Sequence, residues 1–404
     1  MSQKYPGGII SKTAPVTVGP VDGEGGSAPG IWTLTQALEL NKQNLWPKPV
    51  LPRELYSWGY NSNGELGLND TASRSSPVQV GAFTTWFQIA GGSNHSLSIK
   101  TDGTLWSWGR GNSGQLGLNE AVYRSSPVQV GGLATWSQIA AGNSFSLAIK
   151  TDGTLWSWGF NNVGRLGLND TISRSSPVQV GALTAWSQIA AGSSFSLAVK
   201  TDGTMWSWGY NVFGQLGLND TVYRSSPVQV GALTAWSQIA AGSIHSLAVK
   251  NDGTLWGWGY NGTGLLGLND TYNRSSPVQV GALTTWSKVS TGNAHSLAIK
   301  TDGTMWSWGT NGGGRLGLND TTNRSSPVQV GALTTWSQIA GGNIHSLSIK
   351  TDSTLWAWGR NDHGRLGLND TANRSSPVQV GSLTNWWRLP KMPVSTFSLV
   401  IDIG

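Results

Sequence analysis

Residues 295–317 read HSLAIKTDGTMWSWGTNGGGRLG, and residues 245–267 repeat the fixed positions of that stretch, with Asn251 where Thr301 stands. Working outward, a Trp-Gly pair recurs at Trp58, Trp108, Trp158, Trp208, Trp258, Trp308 and Trp358. A second tryptophan recurs at Trp86, Trp136, Trp186, Trp236, Trp286, Trp336 and Trp386, again with a period of 50 residues. A fixed period of this length means an array or closed ring of one small structural unit. The copies also align themselves. Columns that hold report the fold, and columns that vary report either idle surface or function.

Each copy supplies four strand candidates, exemplified by 136–140, 145–150, 104–108 and 127–130. The second and third types are joined by Lys-Thr-Asp-Gly, a hairpin signal because Asp-Gly tolerates positive φ. Leu147 and Ile149 share one face of their strand, and Trp106 and Trp108 share one face of theirs. Ala140-Ala141-Gly142 has almost no side chain and suits strands crowded around an axis. A short strand opening at Pro127 reads as the outer edge, where a missing donor does no harm. One such sheet cannot bury two apolar faces, but stacked neighbours can, and closing the ring removes the exposed end sheets. The first copy begins mid-unit at Leu55 and the last ends mid-unit at Ile401, so the two ends complete one further sheet. The sequence therefore predicts an all-β chain. It is a seven-bladed β-propeller of 50-residue repeats closed by N- and C-terminal strands, preceded by an extended arm and one short helix. The domains fall at 1–50 and 51–404.

The pattern His-Ser-Leu-x-x-Lys-x-Asp-Gly-x-x-Trp-x-Trp-Gly-x-Asn-x-x-Gly-x-Leu-Gly, carried at 245–267 and 295–317, resembles the repeat of the regulator of chromosome condensation family. The resemblance covers residues 55–401 and implies a seven-bladed propeller. Its founders imply guanine-nucleotide exchange or chromatin binding. Exchange calls for a protruding wedge that departs from the repeat, and no copy carries an insertion. The ultraviolet-B photoreceptors of plants share the propeller, but their Gly-Trp-Arg-His-Thr signature is replaced here by Gly242-Ser243-Ile244-His245-Ser246. That argues against photoreception.

The formal charge is +6 with an isoelectric point near 9.5. Thirteen recurrent cations (the Arg74 and Lys100 columns) meet thirteen recurrent acids (the Asp70 and Asp102 columns). The excess sits in the first 54 residues, at Lys288, Arg388 and Lys391, and in one variable loop. No run of like charge reads as a polyanion-binding tail, so duplex nucleic acid is not an expected partner. There is no cysteine, which removes disulfides and thiolate metal sites. No apolar run is long enough for a membrane span, and the N-terminus shows no signal-peptide pattern. The expectation is a soluble protein made in a reducing or redox-indifferent compartment.

The histidine column (His95, His245, His295, His345) reads Phe145 and Phe195 in two copies. A position that accepts Phe asks for a flat ring, so packing is expected rather than metal or acid–base chemistry. Asp70 precedes Arg74 by four residues in every copy, with Glu120 in one, and a carboxylate–guanidinium brace is expected. Calcium wants six or more clustered oxygens, and each loop offers one carboxylate. No cofactor, metal site or catalytic constellation stands out.

Variation concentrates in the loop after Trp-Gly. Its first position carries Tyr60, Arg110, Phe160, Tyr210, Tyr260 and Arg360; its fourth includes Phe213 and His363; its sixth includes Arg165, Leu265, Arg315 and Arg365. Further variable columns lie at Ser73 with the residue before it, and just ahead of the histidine column. The variation is either drift on solvated loops or a recognition surface. The excess of Arg over acids, with Phe213 and Leu265 left on a loop, favours recognition, since such residues stack on sugar rings or anchor protein partners.

Residues 1–31 are rich in Gly, Pro, Ser and Val and read as an extended arm. Thr33 and Gln36 form a capping box, and Pro47 stops the segment, so a short helix is expected over 34–45. It is too short to stand alone and should dock through Trp32, Leu34, Leu38 and Trp46. Ala28-Pro-Gly-Ile-Trp-Thr-Leu with Leu45-Trp46-Pro47 resembles a short module at the front of virion-associated proteins of tailed phages, notably marine and cyanobacterial ones. There it precedes adhesive or lectin-like domains. This resemblance implies a non-enzymatic virion structural protein, a tail fibre or exposed appendage, made in the host cytoplasm and oligomeric on the particle. Residues 1–50 would hold other virion proteins, and the propeller loops would bind a host-surface glycan or protein. The alternatives are an exchange factor or chromatin binder, a generic interaction scaffold, and an enzyme such as a lyase built on a propeller.

Overall fold

The computed structural model describes residues 51–391 and 393–404. The helix expected over 34–45, with Trp32, Leu34, Leu38 and Trp46, lies outside the described residues. The unit Arg53–Gly404 consists of seven four-stranded antiparallel sheets, with no helix among the described residues. This is the seven-bladed propeller that the repeat predicts.

A complete blade runs outward from Trp86–Gly91 at the axis through His95–Lys100 and Leu105–Gly109 to Arg124–Gln129 at the rim. We number that sheet blade 2, so that blade 7 spans 336–379. Blade 1 is assembled from both ends of the unit: Arg74–Gln79 and Arg53–Gly59 pair with Phe397–Ile403 and Trp386–Arg388. Its central register runs from Arg53↔Ile403 to Gly59↔Phe397 without a shift.

Alternation explains why blades stack. Leu97, Ile99 and Leu105 point from one face of blade 2 onto Trp136, Ile139, Ala148 and Trp158 of blade 3. The Trp158 indole donates to the Gln115 carbonyl in the long loop of blade 2 at 2.9 Å, so each buried tryptophan also pins its neighbour. Gly117 lies beneath that ring, with φ +72° and only 2.8 Å between an added Cβ and the indole nitrogen, which fixes the Leu-Gly of the motif. Removing one such tryptophan costs ~3–5 kcal/mol.

Two features depart from the sequence reading. The outer strand begins at Arg124, three residues ahead of the expected start at Pro127. Pro127 falls where the pairing shifts register, between Gly109↔Arg124 and Ser107↔Val128, and its missing N–H is lost from no ladder bond there. The other is a belt of donors around the axis. The carboxamides of Gln88, Gln188 and Gln338 donate to the carbonyls of Ser137, Ser237 and Trp387 at 2.6–2.9 Å. Arg388 closes the belt by donating to the Phe87 carbonyl at 2.6 Å.

Candidate functional site

Antiparallel topology sends two loops of each blade to one face: the short turn at 92–94 and the long loop at 110–123, in blade 2 numbering. The long loops are rigidly built. Asn61 donates to Asp70 Oδ1 at 3.0 Å and to the Ala72 carbonyl at 3.0 Å, while its own Oδ1 accepts the Leu66 N–H at 2.9 Å. The expected Asp–Arg brace is present in all seven copies, for example Arg174 to Asp170 at 2.6 Å, with Glu120 serving in blade 2. No group of three potential metal-ligating acids or histidines gathers among the described residues.

The sixth loop position corrects the sequence reading most sharply. Arg165, Arg315 and Arg365 are not surface donors: they are 5%, 9% and 3% exposed, because the next blade covers them. Where the copy carries Gln or Glu, the side chain has a local task. Gln115 and Gln215 accept the N–H of Ser113 and Phe213 at 2.9 and 3.0 Å, and Glu65 accepts that of Asn63 at 2.7 Å. Burial pushes the Glu65 carboxyl up to about 7. A guanidinium has no acceptor and cannot make this bond. Arg165 instead donates to Asn162 Oδ1 at 2.7 Å and lies over Phe160, and Arg315 donates to the Gly312 carbonyl at 3.0 Å. The Nε and Nη1 groups of Arg365 have no partner among the described residues. Burial lowers the pKa of all three, to about 10 for Arg165 and Arg315; Arg360 adds a like charge beside Arg315 and Arg365.

The first and fourth positions meet across blade seams. His363 packs on Tyr60 at 4.9 Å between ring centres, Phe213 on Tyr260 at 5.1 Å, and Thr263 bonds Thr310 at 2.8 Å. Gly313 leaves room for Arg360, whose Cβ would lie 3.0 Å from an added Cβ. Tyr210 packs on Tyr223 at 5.0 Å. Part of this variation is therefore matched packing between neighbours. Arg110 remains half-exposed and bonds Asn112 at 2.8 Å; Arg360 is exposed and paired with Asp362 at 2.6 Å.

The column at Ser73 divides by chemistry. Asn273, Asn323 and Asn373 each accept the N–H of the loop asparagine twelve residues earlier at 2.8 Å. Tyr123 and Tyr223 make no such bond and are exposed, as are their neighbours Val122, Val222, Ile172 and Tyr272, the last two at 65% and 74%. The loop face thus has an apolar rim over blades 2 to 5, while over blades 6 and 7 Arg360 is exposed and Arg315 and Arg365 are buried.

His95, His245, His295 and His345 are fully buried in one ring with Phe145, Phe195 and Phe397. Their nitrogens are used, which the Phe copies concealed. His95 Nε2 lies 3.0 Å from Ser146 Oγ, and that hydroxyl donates to the Gln115 carbonyl at 2.9 Å. The hydroxyl proton being committed, Nε2 must be the donor and Nδ1 stays bare and unpartnered. Burial pushes the His95 and His245 pKa down to about 3, so these rings are neutral packing groups.

The comparisons agree with this architecture. Residues 181–393 match the model of the RCC1-like domain, and residues 54–99, 102–149 and 152–199 match the regulator of chromosome condensation (RCC1) repeat. Among solved structures, human WBSCR16 is 20% identical with a TM-score of 0.77, covering 87% of this chain and 99% of its own. Prp20p from Saccharomyces cerevisiae, described with its binding to Gsp1p and histones, is 21% identical with a TM-score of 0.78 over 88% of this chain and 92% of its own. Yeast RCC1 (Prp20) bound by Kap60 is 20% identical, also at 0.78, over 88% of this chain and 89% of its own. At these identities the structures speak to the fold alone. The domain model, spanning more than half of the chain, settles the kinship: this chain belongs to the RCC1-like family of propellers.

Proposed function

We propose that the chain is a non-enzymatic binding propeller that docks a protein partner on its loop face. The character of that face carries the reading: exposed Tyr123, Ile172, Tyr223 and Tyr272 line its rim, and Arg360 is the exposed arginine of blade 7. Tyr and Arg are the side chains that dominate protein interfaces, and a partner with an apolar centre matches the exposed rim. The buried arginines add support. They forgo a bond that Gln makes in sibling loops, and Arg365 also leaves two donors without a partner among the described residues; such costs cluster at functional sites. Prp20p, with its protein partners Gsp1p and histones, is a precedent in kind. Nucleotide exchange on a small GTPase and chromatin binding are the specific activities that the family resemblance suggests. Every long loop among the described residues runs fourteen residues, so none of these loops carries a wedge, and docking ranks ahead of exchange. The virion reading rests on residues 28–47 and would set the same face against a host glycan or protein.

The test is binding of purified Gsp1p, of small GTPases and of histones, with nucleotide release from the GTPases followed in parallel. Binding that falls at least tenfold in Tyr272→Ala and Arg360→Ala supports the proposal, and accelerated release would promote it to exchange. Arg365→Gln should raise stability by about 1 kcal/mol by restoring the loop bond. Glycan-array binding with no protein binding would overturn the protein reading in favour of adhesion.

A further inference from the structure

We propose that the axial cavity binds a compact anion carrying two or more phosphate groups, held by Lys288, Arg388 and Lys391. The cavity is about 790 Å³, within the range of small-molecule sites, and is lined by the inner strands of the blades. The repeat alone would make this lining neutral, with Gln, Ile and Ala or Gly. Three departures add charge, and all add positive charge: Lys288 and Arg388 replace belt glutamines, and Lys391 stands in line with Gly91, Ala141 and Ala191. Ser290 and Thr291 further replace alanines. Among the described residues, no Asp or Glu lines the cavity and none pairs with these three cations.

Their contacts position them without neutralising them. Lys391 crosses the lumen from blade 1 to donate to the Ile189 carbonyl of blade 4 at 2.9 Å. Lys288 donates to the Ser337 carbonyl, and Arg388 to that of Phe87. Each lysine keeps two further N–H donors, and Lys288 and Lys391 remain open to solvent along the lumen. The wall around Lys391 is close enough to push its ammonium down to about 8, as expected of a cation without a counter-ion. The belt bond does not explain the charge of Lys288, because Gln makes the same bond in sibling blades; Arg388 in addition stacks on Phe87 and Trp387 at 4.6 and 4.2 Å. Tetrahedral phosphate oxygens can accept from ammonium and guanidinium donors arriving from several directions, which suits cations set on blades 1 and 6.

Calorimetric titration of the full chain with tripolyphosphate at low salt tests this, with sulfate at equal ionic strength as the control. Saturable one-site binding is expected, weakened at least tenfold by Lys288→Gln, which keeps the belt bond, and by Lys391→Ala. Arg360→Ala, on the loop face, should leave it unchanged. Melting temperatures show which variants are folded, and Lys288→Gln carries the test if Lys391→Ala is not. No saturable binding, equal affinity in Lys288→Gln, equal affinity for sulfate, or loss in Arg360→Ala would each overturn the proposal. Loop-face docking is independent of every one of these outcomes.

Discussion

A single column shows how a residue's task is set by its neighbours across a seam. His245 donates from Nε2 to Ser296, whose proton is committed to the Leu265 carbonyl, and its Nδ1 is left bare in a dry wall. Protonation has no place to go in the folded chain. Burial holds the folded pKa at about 3, whereas the unfolded chain titrates near the ordinary histidine value of 6.5. The sign follows: the depressed folded value leaves stability whole above about 6.5, and stability is lost as pH falls from there toward 3. The limiting slope is about 1.4 kcal/mol per pH unit for one histidine. His245→Phe copies blades 3 and 4 and should remove that slope. Urea unfolding at pH 7 and pH 5.5 should show wild type losing about 1–1.5 kcal/mol more than the variant on acidification. Parallel losses in the two proteins would mean the ring is not kept neutral. Glu65 and Asp402, both raised by burial, act in the opposite direction in this window, so the comparison with wild type is the informative quantity.

At the scale of the element, the hairpin between the second and third strands gives a built-in comparison. Gly103, Gly153, Gly203, Gly253 and Gly303 take φ of +77 to +78° at the turn, while blade 7 places Ser353 there at +60°. The Ser353 N–H still reaches the Lys350 carbonyl at 3.0 Å, so the turn forms despite the Cβ penalty of the left-handed region. Ser353→Gly should raise stability by about 0.5–1 kcal/mol, the strain relieved less the added entropy of the unfolded chain. An unchanged or lower unfolding midpoint would show that the serine is not strained. The same scale explains what could be read in advance. Strand identity, order and closure were legible because hairpin signals and tryptophans recur in register. The start of the outer strand was not, since Arg124-Ser125-Ser126 has no apolar alternation and pairs only through a register shift. Nor was the burial of Arg165, Arg315 and Arg365: a charged residue in a Gly-rich loop reads as solvated, and only the adjacent blade covers it. The belt glutamines were missed because a half-buried Gln on a strand gives no sign of the carbonyl it meets in the next blade.

For the propeller unit, the decisive fact is that six blades are made from contiguous chain and blade 1 is not. Its third strand, Arg53–Gly59, and its second, Phe397–Ile403, meet from opposite ends of the unit, and no covalent link spans that seam. Phe397, Leu399 and Ile401 are fully buried with Leu55, Trp86 and Trp108, so the pairing closes the core between blades 1 and 2. Val400, on the other face, packs with Trp58 and Trp386 against blade 7. One terminal strand therefore seals two interfaces. A chain ending at Thr396 would expose both, leaving two end sheets with apolar faces toward water. Loss of that many buried large side chains should lower the melting temperature by more than about 10 °C, and light scattering should show association through the opened faces. Adding the peptide 397–404 in trans should recover part of the loss, because the register needs only backbone pairing and these side chains. A truncated chain that stays monomeric and melts where wild type does would mean the ring is held by its other five seams.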